Sequence, residues 1–394
     1  MYVHIPFCRH RCAYCDFNTY AGKDGRIEAY TDALCLEIRS LARGASARLP
    51  VHTIFFGGGT PSLVPPAGLS RVIETLAQSF DLSHQAEISL EANPGTLSLP
   101  YLENLRRIGF NRLSLGMQSA HPDDLRLLER QHDYVDVVQA VKWARQAGFS
   151  NLNLDLIFGI PGQSLERWRR TLDLALALRP EHLSLYALTL EHGTPFERWS
   201  AHGLVPQADP DLAADMYETA EERLAREGYL HYEISNWAKV IDGLARVCAH
   251  NLQYWHNWPY LGFGAGAHGY AGGYRTANVL GIEAYIRRCH SGDERAFPFS
   301  PATVNALPID RFTEMQETMM VGLRLTEEGV STHEFRSRFG KDIREVFGKD
   351  VEDLLNLGLL EWSGDDHSRL RLTTRGRLLG NQVFMRFVGE GVSS

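Results

Sequence analysis

The chain has 394 residues, of which 44% are apolar and 22% charged, and its formal net charge is −8. That length exceeds one small domain and suits a large domain with a smaller one, at a composition ordinary for a soluble globular protein. The acidic balance offers no basic field for nucleic acid, no run of about 18 apolar residues could span a membrane, and the start, MYVHIPFC, lacks the basic-then-apolar order of a signal peptide.

In chain order, short β-rich runs alternate with amphipathic stretches. Strands are predicted at 2–5, 52–56, 87–91, 112–115, 151–157 and 182–187. Between them, apolar residues recur at three- and four-residue spacing over 27–43, 68–80, 99–108, 134–147 and 164–178. Six such units imply a parallel sheet with helices outside it, and periodicity alone does not separate an open sheet from a barrel. The chemistry-bearing motifs sit at or just after strand C-termini, the ligand edge of both architectures. A helix at 211–227, a strand at 232–234 and an aromatic, Gly-rich stretch at 250–274 follow. Pro, Ser, Gly and charge mark a linker, giving domains at 1–290 and 311–394 with 291–310 between them. The C-terminal part reads as helical and ends in LRLTTRG, a short hairpin after two or three helices, as in a winged-helix module.

The cysteines carry the first chemistry. Three of six crowd into CRHRCAYC as Cys8, Cys12 and Cys15, while Cys35, Cys248 and Cys289 are scattered. A secreted disulfide framework would spread its cysteines through a shorter chain, so clustered thiols point to metal binding in a reducing cytoplasm. Three thiolates on one loop can hold three irons of a 4Fe-4S cube and leave the fourth iron open. A zinc loop is the alternative; it wants a fourth ligand, for which His4 and His10 are the local candidates. Gly57-Gly58-Gly59-Thr60-Pro61 follows the strand TIFF and would let backbone approach a ligand, or it is a plain strand-to-helix turn. Glu91, Gln118, Arg130 and Asp155 fall at or near successive strand ends. Taken singly, Glu91, Gln118 and Arg130 read as solvated or capping residues, whereas a carboxylate inside an apolar strand, Asp155, needs a reason to be there.

The run Y-V-H-I-P-F-C-x3-C-x2-C-D-F resembles the opening of the radical S-adenosylmethionine (SAM) superfamily, in the branch that holds HemN and HemW, and the resemblance extends from Tyr2 to about Phe387. It implies a partial (β/α)6 barrel with a smaller, mostly helical C-terminal domain. It also implies a 4Fe-4S cluster on Cys8, Cys12 and Cys15, whose open iron is chelated by SAM and whose electron cleaves SAM to methionine and a 5′-deoxyadenosyl radical. Gly57, Gly58, Gly59 and Thr60 match the family motif that holds the SAM amino group. Glu91, Gln118 and Asp155 match contacts to ribose or amino acid groups, and Arg130 one to a carboxylate. Tyr2 and Tyr14 match further positions lining cluster and SAM.

Within the branch, HemN is an enzyme, the oxygen-independent coproporphyrinogen III dehydrogenase, and HemW is a haem chaperone serving haemoproteins such as respiratory enzymes. HemN carries a further cysteine where this chain has Phe17, and a longer segment ahead of the cluster. The segment His250-Asn251-Leu252-Gln253-Tyr254-Trp255, after Y-E-I-S-N-W-A-K, matches HemW's H-N-x-x-Y-W. The resemblance therefore implies haem as a third cofactor, with His250 as axial ligand. A neutral imidazole suits haem iron, and Tyr254, Trp255 and Trp258 offer flat apolar area. Read without the family, the same residues form a core aromatic cluster with a hydrogen-bonded histidine; Cys248 and His268 are rival ligands. The link VIDGLARVCA ahead of His250 departs from the usual HemW pattern. Expected partners are haem and recipient haemoproteins, with respiratory enzymes at the inner face of the membrane among them and no nucleic acid. A homodimer is compatible with the sequence.

Overall fold

The computed structural model describes residues 1–207, 209–364 and 367–388; the end of the expected C-terminal domain, 389–394, lies outside the described residues. Two compact units are present. The first comprises residues 1–223 and 260–307, the second 224–259 and the chain from 308 onward. Among the described residues no helix is long and apolar enough to cross a membrane.

In the first unit the six expected strands form as β1 (Tyr2–Ile5), β2 (Pro50–Gly58), β3 (Asp81–Ala92), β4 (Arg112–Gln118), β5 (Leu152–Phe158) and β6 (His182–Ala187). They pair in parallel and in sequence order, with Gly262–Phe263 added outside β1. Sequential parallel order with outer helices is the partial (β/α)6 barrel the resemblance implies. Helices α1 (Ile27–Gly44), α2 (Pro66–Ser79), α3 (Leu99–Ile108), α4 (Pro122–Leu127), α5 (Tyr134–Gln146) and α6 (Leu165–Ala177) connect the strands. Local chemistry fixes their starts. Ser98 and Ser164 accept backbone N–H bonds at the heads of α3 and α6, and Asp133 forms a capping box with Asp136 on α5. β4 and β5 are buried along nearly their whole length, as parallel strands covered on both faces must be.

The chain re-enters this unit at Tyr260, and one carboxylate ties the returning segment down. Glu37, fully buried on α1, accepts from Gly264 N at 2.8 Å, Tyr285 Oη at 2.6 Å, Asn278 Nδ2 at 2.7 Å and Ser300 Oγ at 2.7 Å. Burial still pushes its carboxyl above the usual range. His268–Ala271, Tyr274–Asn278 and Thr303–Pro308 form a small three-stranded sheet. The segment 291–310, read as a linker, therefore includes a strand; it is mostly exposed, which is why its composition looks like that of a loop.

In the second unit, helices Arg311–Gly322, Thr332–Phe339 and Ile343–Asn356 precede the hairpin Leu360–Ser363/Arg369–Leu372, to which Val330–Ser331 adds. That is the expected mostly helical module with a hairpin after its helices, closed over Met319, Leu323, Phe335, Phe339, Val351 and Leu370; of LRLTTRG only Leu370–Leu372 lies in the hairpin, because Thr373 caps a helix at Thr374–Leu378 and a second follows at Gly380–Phe384. Residues 224–259, grouped by sequence with the N-terminal core, pack here instead. Arg338 donates to the carbonyls of His256 and Asn257, Arg324 lies over the Trp255 ring, and Ile234 N donates to Arg324 O. The unusual link before His250 is a hairpin turn: Asn236–Ile241 pairs with Leu244–Ala245 through Asp242 and Gly243, both at positive φ. Asp-Gly is the commonest chemistry for such a two-residue turn.

Replacing Glu37 strands four donors, each costing about 1–3 kcal/mol when buried without a partner. Glu37→Leu is expected to lower unfolding stability by at least about 3 kcal/mol and Glu37→Gln by less, read as the shift in urea midpoint.

Candidate functional site

The C-terminal edge of the first unit's sheet opens into a cavity of about 750 Å³. Its wall carries Cys8, Cys12 and Cys15 from the loop after β1, together with Glu91, Gln118, Arg130 and Asp155 from the barrel side. Gly58, Gly59, Thr60 and Tyr14 also line it; Tyr2 and Gly57 do not. The Tyr2 ring lies behind, beside Gly57 and stacked on Phe55, and its hydroxyl meets His4 Nδ1 at 2.9 Å.

The glycine run has a tighter purpose than ligand approach. A Cβ on Gly59 would stand 2.6 Å from Phe7 O, 2.9 Å from Ile5 O and 3.1 Å from Cys8 Sγ. Gly58, at φ +111°, has the His4 ring where a side chain would go. The cysteine loop therefore rests directly on glycine backbone, through Gly59 N to Ile5 O and Thr60 N to Phe7 O, both 2.8 Å. Its far side is held by Asn18, which donates to Ala265 O at 2.9 Å and Leu280 O at 3.0 Å.

All three cysteines are free thiols. Burial pushes Cys8 and Cys15 up, against a weaker opposing hydrogen bond from Thr60 to Cys8. A polynuclear metal core would reverse this, because coordinating thiols are deprotonated outright. Among the described residues no group of three His, Cys, Asp or Glu side chains is placed to hold a single metal ion. Neither histidine considered as a fourth ligand is turned to the thiols. His4 bonds Asn18 O through Nε2, and His10 Nε2 meets Glu129 Oε2 at 3.2 Å.

The polar side chains of the barrel side are placed by the strand ends. β4 bulges between Gly116 and Gln118, and Gln118 sits at φ +63°. Bulges re-aim side chains, and non-glycine residues at positive φ concentrate at functional sites. Arg130 reaches in after α4; its Nη2 donates to Gly116 O at 3.0 Å, its Nη1 lies 3.7 Å from Cys12 Sγ, and its Nε is buried without a partner. Burial raises the Tyr14 hydroxyl above its usual range although Arg130 adjoins it. Glu91 accepts from Gly58 N at 3.1 Å, and burial followed by the nearby Asp155 pushes its carboxyl up to about 7. Burial likewise raises Asp155, which accepts from Ser114 Oγ at 2.7 Å and Asn153 Nδ2 at 2.8 Å. Three thiols on one loop suit a metal core, and two carboxylates crowded in low dielectric beside an arginine with an unused donor suit a cationic ligand that carries its own carboxylate.

His250 lies elsewhere, in the second unit, on the helix Ala249–Trp255. It is buried, and its Nε2 meets Tyr254 Oη at 3.0 Å with the rings edge to face. Of the rivals, Cys248 is buried at the head of the same helix, and His268 is exposed on a strand of the first unit. Sequence reading overlooked Asn18, Ser114, Asn153 and His182. The last three did leave a trace, as polar residues inside strands otherwise apolar.

Comparisons with known proteins agree with the geometry. Residues 2–175 match the radical SAM superfamily and residues 309–379 the HemN C-terminal domain. The chain is 38% identical to "Heme chaperone HemW" of Bacillus subtilis, covering 99% of both chains. It is 35% identical to the bovine "Radical S-adenosyl methionine domain-containing protein 1, mitochondrial", over 95% of this chain and 84% of that one. Among solved structures it resembles coproporphyrinogen III oxidase (HemN) of Escherichia coli, titled a radical SAM enzyme, with a TM-score of 0.82 at 26% identity, covering 98% of this chain and 89% of that one.

Two outcomes test the site. Gly59→Ala is expected to push the cysteine loop off its backbone support and speed alkylation of Cys8 several-fold, read by mass-spectrometric labelling kinetics. For Glu91, a carboxyl held up to about 7 against an ordinary 4.5 favours the fold when protonated, so that stability is complete below pH 4.5 and is lost as pH rises through 7. Glu91→Gln, which cannot ionise, should match wild type at pH 4.5 and exceed it at pH 8 by on the order of 3 kcal/mol. Urea titrations of cluster-free protein at the two pH values check this.

Proposed function

Because the chain belongs to the HemW family of the radical SAM superfamily, we propose that it binds a 4Fe-4S cluster, SAM and haem and passes haem to haemoproteins. The single observation that carries the first part is one cavity lined by three free thiols together with Glu91, Asp155 and Arg130. Cys8, Cys12 and Cys15 would hold the cluster, which supplies an electron at an iron left open by the protein. Gly58 to Thr60, Tyr14, Gln118 and the two carboxylates would hold the sugar and ammonium groups of SAM, and Arg130 its carboxylate. Tyr2 and Gly57 would act from behind, by placing His4 and Glu91.

The relatives named as haem chaperones over their full length support haem handling, and so does Phe17, exposed at the cavity where HemN carries a cysteine. The proposed place of work is the cytoplasm, with recipients that include respiratory enzymes at the inner membrane face. His250 would ligate haem iron after exchanging its bond to Tyr254. Haem titration is then expected to lose its axial-ligand spectrum in His250→Ala. Tyr254→Phe should tighten binding by roughly two- to tenfold, the worth of one hydrogen bond released. Unchanged spectra in His250→Ala remove this ligand. Anaerobic incubation with reductant, SAM and coproporphyrinogen III is expected to give no vinyl product; conversion would make the chain a dehydrogenase of the HemN kind.

A further inference from the structure

A row of polar residues crosses the barrel floor below the cavity. Glu91, Ser114, Asn153 and His182 are register partners on β3, β4, β5 and β6. Two residues further along the strands, Asp155 pairs with Gly116 and Ser184. Ser114, Asn153, His182 and Ser184 are all buried.

His182 Nδ1 lies 2.6 Å from Asn153 Oδ1, and Ser184 Oγ donates to the same oxygen at 3.1 Å. Burial, followed by the Arg112 charge, holds the imidazole neutral. The two N–H bonds of the Asn153 amide go to Ser114 Oγ at 2.7 Å and Asp155 Oδ1 at 2.8 Å. Ser114, having accepted from Asn153, has its own hydrogen left for Asp155 Oδ2 at 2.7 Å. Asp155 is thus held by Asn153 and Ser114, with Ser184 as a further hydrogen-bond partner, where it lines the cavity.

We infer that Asn153, held by His182 and Ser184, is a positioning residue that orients Asp155 toward the cavity, where the ligand group it takes is a sugar hydroxyl or an ammonium. The inference rests on the reading of this cavity as the SAM site. A network serving only to satisfy buried groups would set stability and leave ligand affinity alone.

The test is SAM affinity by anaerobic equilibrium dialysis of the full, cluster-reconstituted chain, arranged as a double-mutant cycle. Asn153→Ala is expected to weaken SAM binding about tenfold or more. In an Asp155→Ala background the same change should have no further effect, because Asn153 acts through Asp155. Ser114→Ala, a milder loss, should behave alike and carries the cycle if Asn153→Ala does not fold. His182→Gln keeps a donor to Asn153 and should retain affinity that His182→Leu loses. Multiplying losses in the double variant, or a single variant within twofold of wild type, overturn the positioning role while leaving the SAM site standing. Failure of the wild type to bind SAM overturns the SAM reading and this inference with it.

Discussion

The structure of the first unit turns on a buried carboxylate that takes no part in its chemistry. Glu37 gathers four donors, on residues 264, 278, 285 and 300, all of which the chain reaches only after its excursion into the second unit. Such a charge is tolerable in the interior only if its lone pairs are filled. The returning segment is therefore specified by the requirement to satisfy Glu37, not by apolar burial alone. One of the four, Gly264 N, passes that order to the site. Next to it, Ala265 O accepts from Asn18, and Ala265 N donates to Tyr30, whose hydroxyl donates in turn to His4 O. Asn18 O holds His4, and the His4 ring fills the place beside Gly58. The cysteine loop is thus clamped between glycine backbone on β2 and a turn that Glu37 keeps in place.

This clamp explains why the motif glycines and the cysteines go together. A loop carrying three thiols has little core of its own; its rigidity must come from neighbours. Gly58 and Gly59 let the loop's backbone replace side chains that would stand between them, and the bonds from Gly59 and Thr60 fix its height above the sheet. Placement is then a property of two strands and one turn. That geometry lets one cavity offer soft ligands from the loop and carboxylates from the strand ends, with the Arg130 guanidinium beside Cys12.

Much of this was legible in sequence for identifiable reasons. The six strands are short, mostly apolar runs alternating with helical periodicity, and parallel burial makes that signal strong. Cys8, Cys12 and Cys15 stood out by their spacing and Asp155 as a carboxylate inside an apolar strand, whereas Glu91, Gln118 and Arg130 were singled out only through the family resemblance; the structure brings all seven to one cavity. The membership of 224–259 was not legible, because it depends on Arg324 and Arg338 reaching across about 70 to 80 residues to Trp255, His256 and Asn257. Nor was the Asp242-Gly243 turn recognised, though its dipeptide is a standard hairpin signal; the resemblance drew attention to a departure from pattern instead. Asn153 and His182 escaped because buried polar residues in a strand read as noise until their partners are known.

The side chains of the cavity share one electrostatic bias. Cys8, Cys15, Glu91 and Asp155 are all held above their ordinary ranges by burial, which favours the protonated form of each. A buried Arg112 relieves Glu91 and Asp155 only in part. Each of these groups gains by meeting positive charge, and the Arg130 Nε gains by meeting an acceptor. A stable fold does not keep such costs without return; they persist where binding offsets them. Metal at the thiols and a zwitterionic cation over the carboxylates would each relieve a different part of that cost. Loading both should therefore be cooperative with folding of the cysteine loop, and the glycine and Glu37 contacts reduce the ordering entropy that loading must still overcome.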